Sequence, residues 1–210
     1  MPKKTDLMSE AERDAYHADK MKRKKAARDR ILAGKTEEKG LIVVFTGKGK
    51  GKSTAAFGMV LRALGHGMRV GIVQFGKGKW ETGERVALAK FADQVTIEAM
   101  GEGFTWETQD RDRDIAAAKR GWEIAKDQIR DPEIGFVLLD EINIALRYDY
   151  LDIDEVVGFL QEEKPEMTHV VLTGRNAKEE LVAAADLVTD FSMVKHPFRD
   201  GVRAQKGVEF

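Results

Sequence analysis

A chain of 210 residues, 42% hydrophobic and 34% charged, has the profile of a soluble globular protein able to bury a substantial core. The complete lack of cysteine excludes disulfides, thiol catalysis and zinc–thiolate sites. No apolar run approaches the roughly 20 residues that span a bilayer, and the opening MPKKTDLMSEAERD has no apolar stretch of the secretory kind, so a cytoplasmic location is expected.

The formal net charge of −1 conceals an asymmetry. Residues 1–40 carry 12 Lys/Arg against 8 Asp/Glu, and seven of those cations lie between Lys20 and Arg30. A basic arm of this kind suits either nucleic acid or solvent. Asp14, Asp19 and Asp29 interleave with the cations, which favours a solvated, charge-laced helix.

Ser9 followed by Glu12 forms the pattern of a capping box and predicts a helix running to Leu32. Its apolar positions (Ala11, Ala15, Ala18, Met21) are small or sparse, so packing alone would hold it weakly. Gly34 to Gly40 reads as a linker, which divides the chain into a helical arm at 1–39 and a domain at 40–210. From Leu41 onward, strand-like runs are predicted at Leu41–Thr46, Val70–Phe75, Val95–Ala99, Phe136–Asp140, His169–Thr173 and Leu187–Val194. Helical patterns lie between most of them, at Ser53–Leu64, Gly83–Phe91, Asp110–Ile129, Ile153–Glu163 and Ala177–Ala185. In the third helix Ile115, Ala118, Trp122, Ala125 and Ile129 recur every three or four residues, which assigns Trp122 to the core. Apolar strands alternating with helices predict an α/β domain on a mainly parallel sheet flanked by helices.

The first strand leads into FTGKGKGKSTAAF, Phe45 to Phe57. Three glycines in five residues let successive backbone N–H groups turn toward phosphate oxygens. Lys52 supplies a point charge, the Ser53 hydroxyl suits magnesium, and the helix beginning there adds its positive end. Placement between a strand and a helix makes this a phosphate-binding loop. One detail departs from G-x-x-x-x-G-K-[ST]: Thr46 stands where the first glycine is usual.

The strand Phe136-Val-Leu-Leu ends in Asp140 and Glu141, the pattern of a Walker B motif, whose carboxylates would reach Mg²⁺ directly or through water. A hydrolase would also need an arginine at the transition state, and no arginine stands out. The four histidines (His17, His66, His169, His196) are scattered, and His66 in LGHG reads as a turn residue. Either the arginine comes from elsewhere, or another molecule brings the reactive atom.

Several further stretches bear on that choice: QFGKGKWETGER (Gln74–Arg85), GFTWETQ with Phe104 and Trp106, LDEINIALRYDYLD (Leu139–Asp152) and the ending VKHPFRDGVRAQKGVEF. Together with the loop, in this order, they resemble the ATP:corrinoid adenosyltransferase family, also called cob(I)yrinic acid a,c-diamide adenosyltransferase. The resemblance runs from about Gly40 to the C-terminus, and the basic arm is similar to that family's variable lid. The family's loop has the form TGxGKGK[ST], so Thr46 is expected within it; Lys48 and Gly76 are small local departures.

The resemblance implies a RecA-like P-loop fold and transfer of the 5′-deoxyadenosyl group of ATP to Co(I) of a corrinoid, with triphosphate leaving, in adenosylcobalamin biosynthesis or salvage. A metal-centred nucleophile has no proton to lose, which accounts for the missing base. It further implies Lys52 and Glu141 as catalytic residues and an ATP site of Gly47, Lys48, Gly49, Lys50, Gly51, Lys52, Ser53 and Thr54, with Arg62 as an added nucleotide contact. Mg²⁺ (or Mn²⁺) would be managed by Ser53, Asp140 and Glu141, and Phe104 with Trp106 would face the corrin. A homodimer and a reducing flavoprotein as electron donor are implied too, with neither membrane nor nucleic acid as partner. The competing reading is a P-loop ATPase acting on nucleic acid; a third is a nucleotide-dependent corrinoid carrier without catalysis.

Overall fold

The computed structural model describes residues 8–76, 82–100 and 110–209. Contacts divide the chain into two units, Met1–Glu38 and Lys39–Phe210.

The first unit is one helix, α1 (Glu10–Ala33). Ser9 accepts from the Glu12 backbone N–H while the Glu12 side chain accepts from the Ser9 backbone N–H, the expected capping box. No residue of α1 is buried, and its charges pair along the helix, as in Arg23 to Asp19 at 2.7 Å. No described helix is long and apolar enough to cross a membrane.

The second unit is built on six strands: β1 (Ile42–Thr46), β2 (Arg69–Gln74), β3 (Val95–Ala99), β4 (Ile134–Asp140), β5 (His169–Thr173) and β6 (Leu187–Asp190). Their order is β3-β2-β4-β5-β1-β6, and every pairing is parallel. Interior parallel strands with helices on both faces are buried, whereas the edge strands β3 and β6 carry no buried residue. All five residues of β1 are buried, and they alternate between two cores, Ile42 and Val44 on one side, Val43 and Phe45 on the other.

One core is closed by α2 (Lys52–Gly65) through Ala56, Phe57, Val60, Ala63 and Leu64, and by α3 (Gly83–Leu88) through Leu88. The other is closed by α4 (Arg111–Arg130), α5 (Ile142–Arg147), α6 (Ile153–Glu162) and α7 (Glu179–Ala184). Trp122 of α4 lies in this second core, edge-on to Phe159 with ring centroids 5.3 Å apart. Its indole N–H donates to Glu155 Oε1 at 2.9 Å, so the polar end of a buried ring is satisfied.

Two segments differ from the sequence-based expectation. Helix α5 was not anticipated: six residues directly after Asp140-Glu141 are too few to display a helical period. The last strand stops at Asp190 instead of Val194, because the Phe191 carbonyl leaves the sheet and accepts the Gly49 N–H at 2.6 Å. Residues 77–81 and 101–109, the latter with Phe104 and Trp106, lie outside the described residues.

Candidate active site

In a parallel sheet all strands end on one side, and that edge is where ligands bind. Register aligns the ends here: Gln74 opposite Asp140, Phe45 opposite Thr173, Thr46 opposite Asp190. A cavity of 730 Å³ opens beside this edge.

Its floor is the phosphate loop. Gly47 and Gly51 have φ of 100° and 107°, conformations that suit glycine and turn the chain from β1 into α2. Gly51 caps α2 without any side-chain bond, which leaves the first N–H groups of that helix to face the cavity. Gly49, Lys50, Gly51, Lys52, Ser53 and Thr54 all line it. Gly49 cannot be replaced freely: a Cβ would lie 2.5 Å from the Ser192 carbonyl oxygen.

Lys52 curls back into its own loop, donating to the carbonyls of Gly47 at 2.8 Å and Gly49 at 2.7 Å. Burial pulls its ammonium below the usual lysine range; the Glu141 carboxylate opposes this and the Arg175 guanidinium adds to it.

The acidic pair splits. Asp140 is buried, and its two oxygens accept from Thr173 Oγ1 at 2.8 Å and Gln74 Nε2 at 3.2 Å. Glu141 lines the cavity, held by its backbone N–H to Thr173 Oγ1 at 2.9 Å. It sits at φ 65°, left-handed for a residue with a side chain, and so swings away from the strand direction of Asp140. Thr173 thus ties the ends of β4 and β5 together.

A profile of the family described as ATP:corrinoid adenosyltransferase BtuR/CobO/CobP matches residues 38–210. The chain belongs to this family. The corrinoid adenosyltransferase of a Sinorhizobium species is 64% identical over 198 residues, which is 94% of this chain and 92% of that one. That of Pseudomonas aeruginosa is 53% identical over 199 residues, 95% and 98% of the two chains. A KaiC-like protein from Pyrococcus horikoshii overlays with a TM-score of 0.42 at 17% identity, covering 72% of each chain.

Within this adenosyltransferase, the structure brings together Gly49 to Thr54 and Glu141 of the expected site residues. Gly47 shapes the loop turn, Lys48 is exposed, and Asp140 stands behind Glu141 without lining the cavity. Arg62 is exposed on the last turn of α2, outside the cavity lining, and His66 caps the end of that helix.

Groups that sequence reasoning did not single out also line the cavity: Arg175, Lys195, His196 and Glu209. Arg175 follows β5, and β5 pairs with both β1 and β4, so its loop must fall between the phosphate loop and the acidic pair. That strand order was the missing signal. Glu209 pairs with Lys50, which carries the C-terminal segment back across the loop.

The donor set also bears on a divalent cation. Among the described residues no three His, Cys, Asp or Glu side chains gather into a cation cage. A serine hydroxyl and one carboxylate facing a phosphate site are, however, the oxygen donors that magnesium takes when substrate phosphates complete its shell. These residues therefore fit that ion.

Proposed function

We propose that this corrinoid adenosyltransferase moves the 5′-deoxyadenosyl group of ATP onto Co(I) of a corrinoid through the cavity at the ends of β1, β4 and β5. The observation that carries the reading is the concentration of Lys50, Lys52 and Arg175 around the bare N-terminus of α2, an electrostatic setting for a triphosphate leaving group. The Co(I) electron pair forms the Co–C bond as the C5′–O bond breaks, and the bonding pair departs with triphosphate. No proton moves, so the protein needs no general base.

The backbone of Gly47 to Thr54 cradles the phosphates, and Lys52 trades its loop carbonyls for phosphate oxygens. Ser53 and Glu141 hold Mg²⁺, or Mn²⁺ in its place, with Asp140 behind them as the anchor of Glu141's strand end. When bound, that ion offsets charge on the triphosphate. Phe104 and Trp106 face the corrin, residues 1–39 form a lid, a second copy completes a homodimer, and a reducing flavoprotein supplies the electron.

The test mixes protein, Mg-ATP, a reductant and hydroxocobalamin. A light-sensitive alkylcobalt spectrum should form, with intact triphosphate as the phosphorus-NMR product. Corrinoid-dependent ADP as the main product would sink the reading.

A further inference from the structure

Thr46, the residue standing in place of the usual first glycine, has a partner outside the phosphate loop. Its side chain is buried at the end of β1, and Oγ1 accepts the Ala177 backbone N–H at 3.0 Å. Ala177 follows the turn Gly174-Arg175-Asn176. Gly174 has φ 132° and Asn176 φ 55°, so positive-φ residues flank Arg175 on both sides. Such a turn holds one shape only when its surroundings over-determine it.

Three bonds do so. The Gly174 N–H donates to the Phe45 carbonyl at 3.2 Å, the Gly174 carbonyl accepts from Asn143 Nδ2 at 3.1 Å, and Ala177 donates to Thr46. Two of the three pins are the last residues of β1, the strand that runs straight into the phosphate loop. Packing agrees: a Cβ on Gly174 would stand 2.8 Å from the Asn143 Cβ. The left-handed conformation that the loop needs is supplied one residue later, by Gly47 at φ 100°. A glycine at 46 would add nothing to the turn and would remove the acceptor.

We propose that Thr46 is a positioning residue: its hydroxyl, seconded by the Asn143 amide, fixes the Arg175 turn to the same strand end that carries the phosphate loop. Arg175 and Lys52 then meet the triphosphate in a constant geometry. This rests on the reading of Arg175 as a triphosphate contact.

The experiment is a double-mutant cycle in the full chain, read by adenosylation kinetics and by calorimetric binding of inorganic tripolyphosphate. Thr46→Val keeps the shape and removes the acceptor; it should lower kcat/KM for ATP about tenfold and weaken tripolyphosphate by a similar factor. Thr46→Ser keeps the acceptor and should stay within about twofold of the parent. On an Arg175→Ala background, Thr46→Val should cost less than about twofold more, because the group it positions is gone. Circular dichroism checks folding; if Thr46→Val does not fold, Asn143→Ala, which removes the neighbouring pin, enters the same cycle. A full additional loss on the Arg175→Ala background, or a serine variant as impaired as the valine, overturns the inference while leaving the function reading standing. Unchanged tripolyphosphate binding in Arg175→Ala would remove the arginine from that reading, and the inference with it.

Discussion

Replacing Lys52 with methionine separates what the lysine does for the reaction from what it does for the fold. In the free protein its ammonium is spent on two loop carbonyls at 2.8 and 2.7 Å. In the proposed reaction it faces charge growing on the triphosphate, and losing one preorganised contact of that kind costs on the order of 10²–10³-fold in rate, about 2.7–4 kcal/mol. Stability should respond differently. A lysine whose folded pKa lies below its unfolded value opposes folding at pH values under both, and that penalty lifts only as pH rises through the folded value; burial places Lys52 in this class. Methionine removes the penalty together with the two bonds, and water entering beside the loop can satisfy the Gly47 and Gly49 carbonyls. The two effects should roughly cancel, leaving unfolding within about 1 kcal/mol of the parent. Initial rates of alkylcobalt formation and urea denaturation at pH 7 measure the two quantities side by side. A fall in kcat/KM of less than about fivefold would refute the role in the reaction. A destabilisation above about 2 kcal/mol would show that the lysine chiefly holds the empty loop together.

The double substitution Phe104→Ala, Trp106→Ala should abolish adenosylation that starts from Co(II) and a mild reductant, yet spare much of it when Co(I) is made chemically beforehand; an equal loss in both assays would reduce these rings to fold support. Residues 1–39, if they form a lid, should lose protease sensitivity near Lys22–Lys25 when ATP and corrinoid are both present, and unchanged cleavage would count against the lid. His169 accepts the Leu41 N–H on Nδ1 at 3.1 Å, and burial, with Lys164 nearby, lowers its pKa from 6.5. Because the unfolded chain takes up that proton first, stability should decline as pH drops below about 6.5, and His169→Asn should flatten this slope in denaturant titrations at pH 5–7.

The interior strands were legible because a parallel sheet demands continuous apolar runs there, and β1, β4 and β5 carry them, whereas the edge strand β3 was legible by alternation, Val95, Ile97 and Ala99 with Thr96 and Glu98 between them. The phosphate loop was legible for a different reason: glycine spacing and a following helix are local properties. What escaped was non-local. Arg175 enters the site only through the order β4-β5-β1, which no window of sequence encodes. Neither does sequence divide Asp140 from Glu141. Two adjacent acids look alike until Thr173 and Gln74 claim the oxygens of one and a left-handed backbone turns the other into the cavity. The alternation of Leu187–Val194 likewise hid the point at which Phe191 abandons the sheet for Gly49.

Glu141 has a consequence for anyone selecting hardier variants of this enzyme. At φ 65° and ψ 17° its backbone occupies a region that glycine and asparagine enter readily and that costs other residues roughly 1–2 kcal/mol. A thermostability screen scoring only heat resistance would be rewarded for Glu141→Gly or Glu141→Asn, and would discard the carboxylate that lines the cavity. The ranking such a screen returns at this position should run opposite to the ranking by turnover, so library design ought to hold residue 141 fixed while letting the surface of α1 vary.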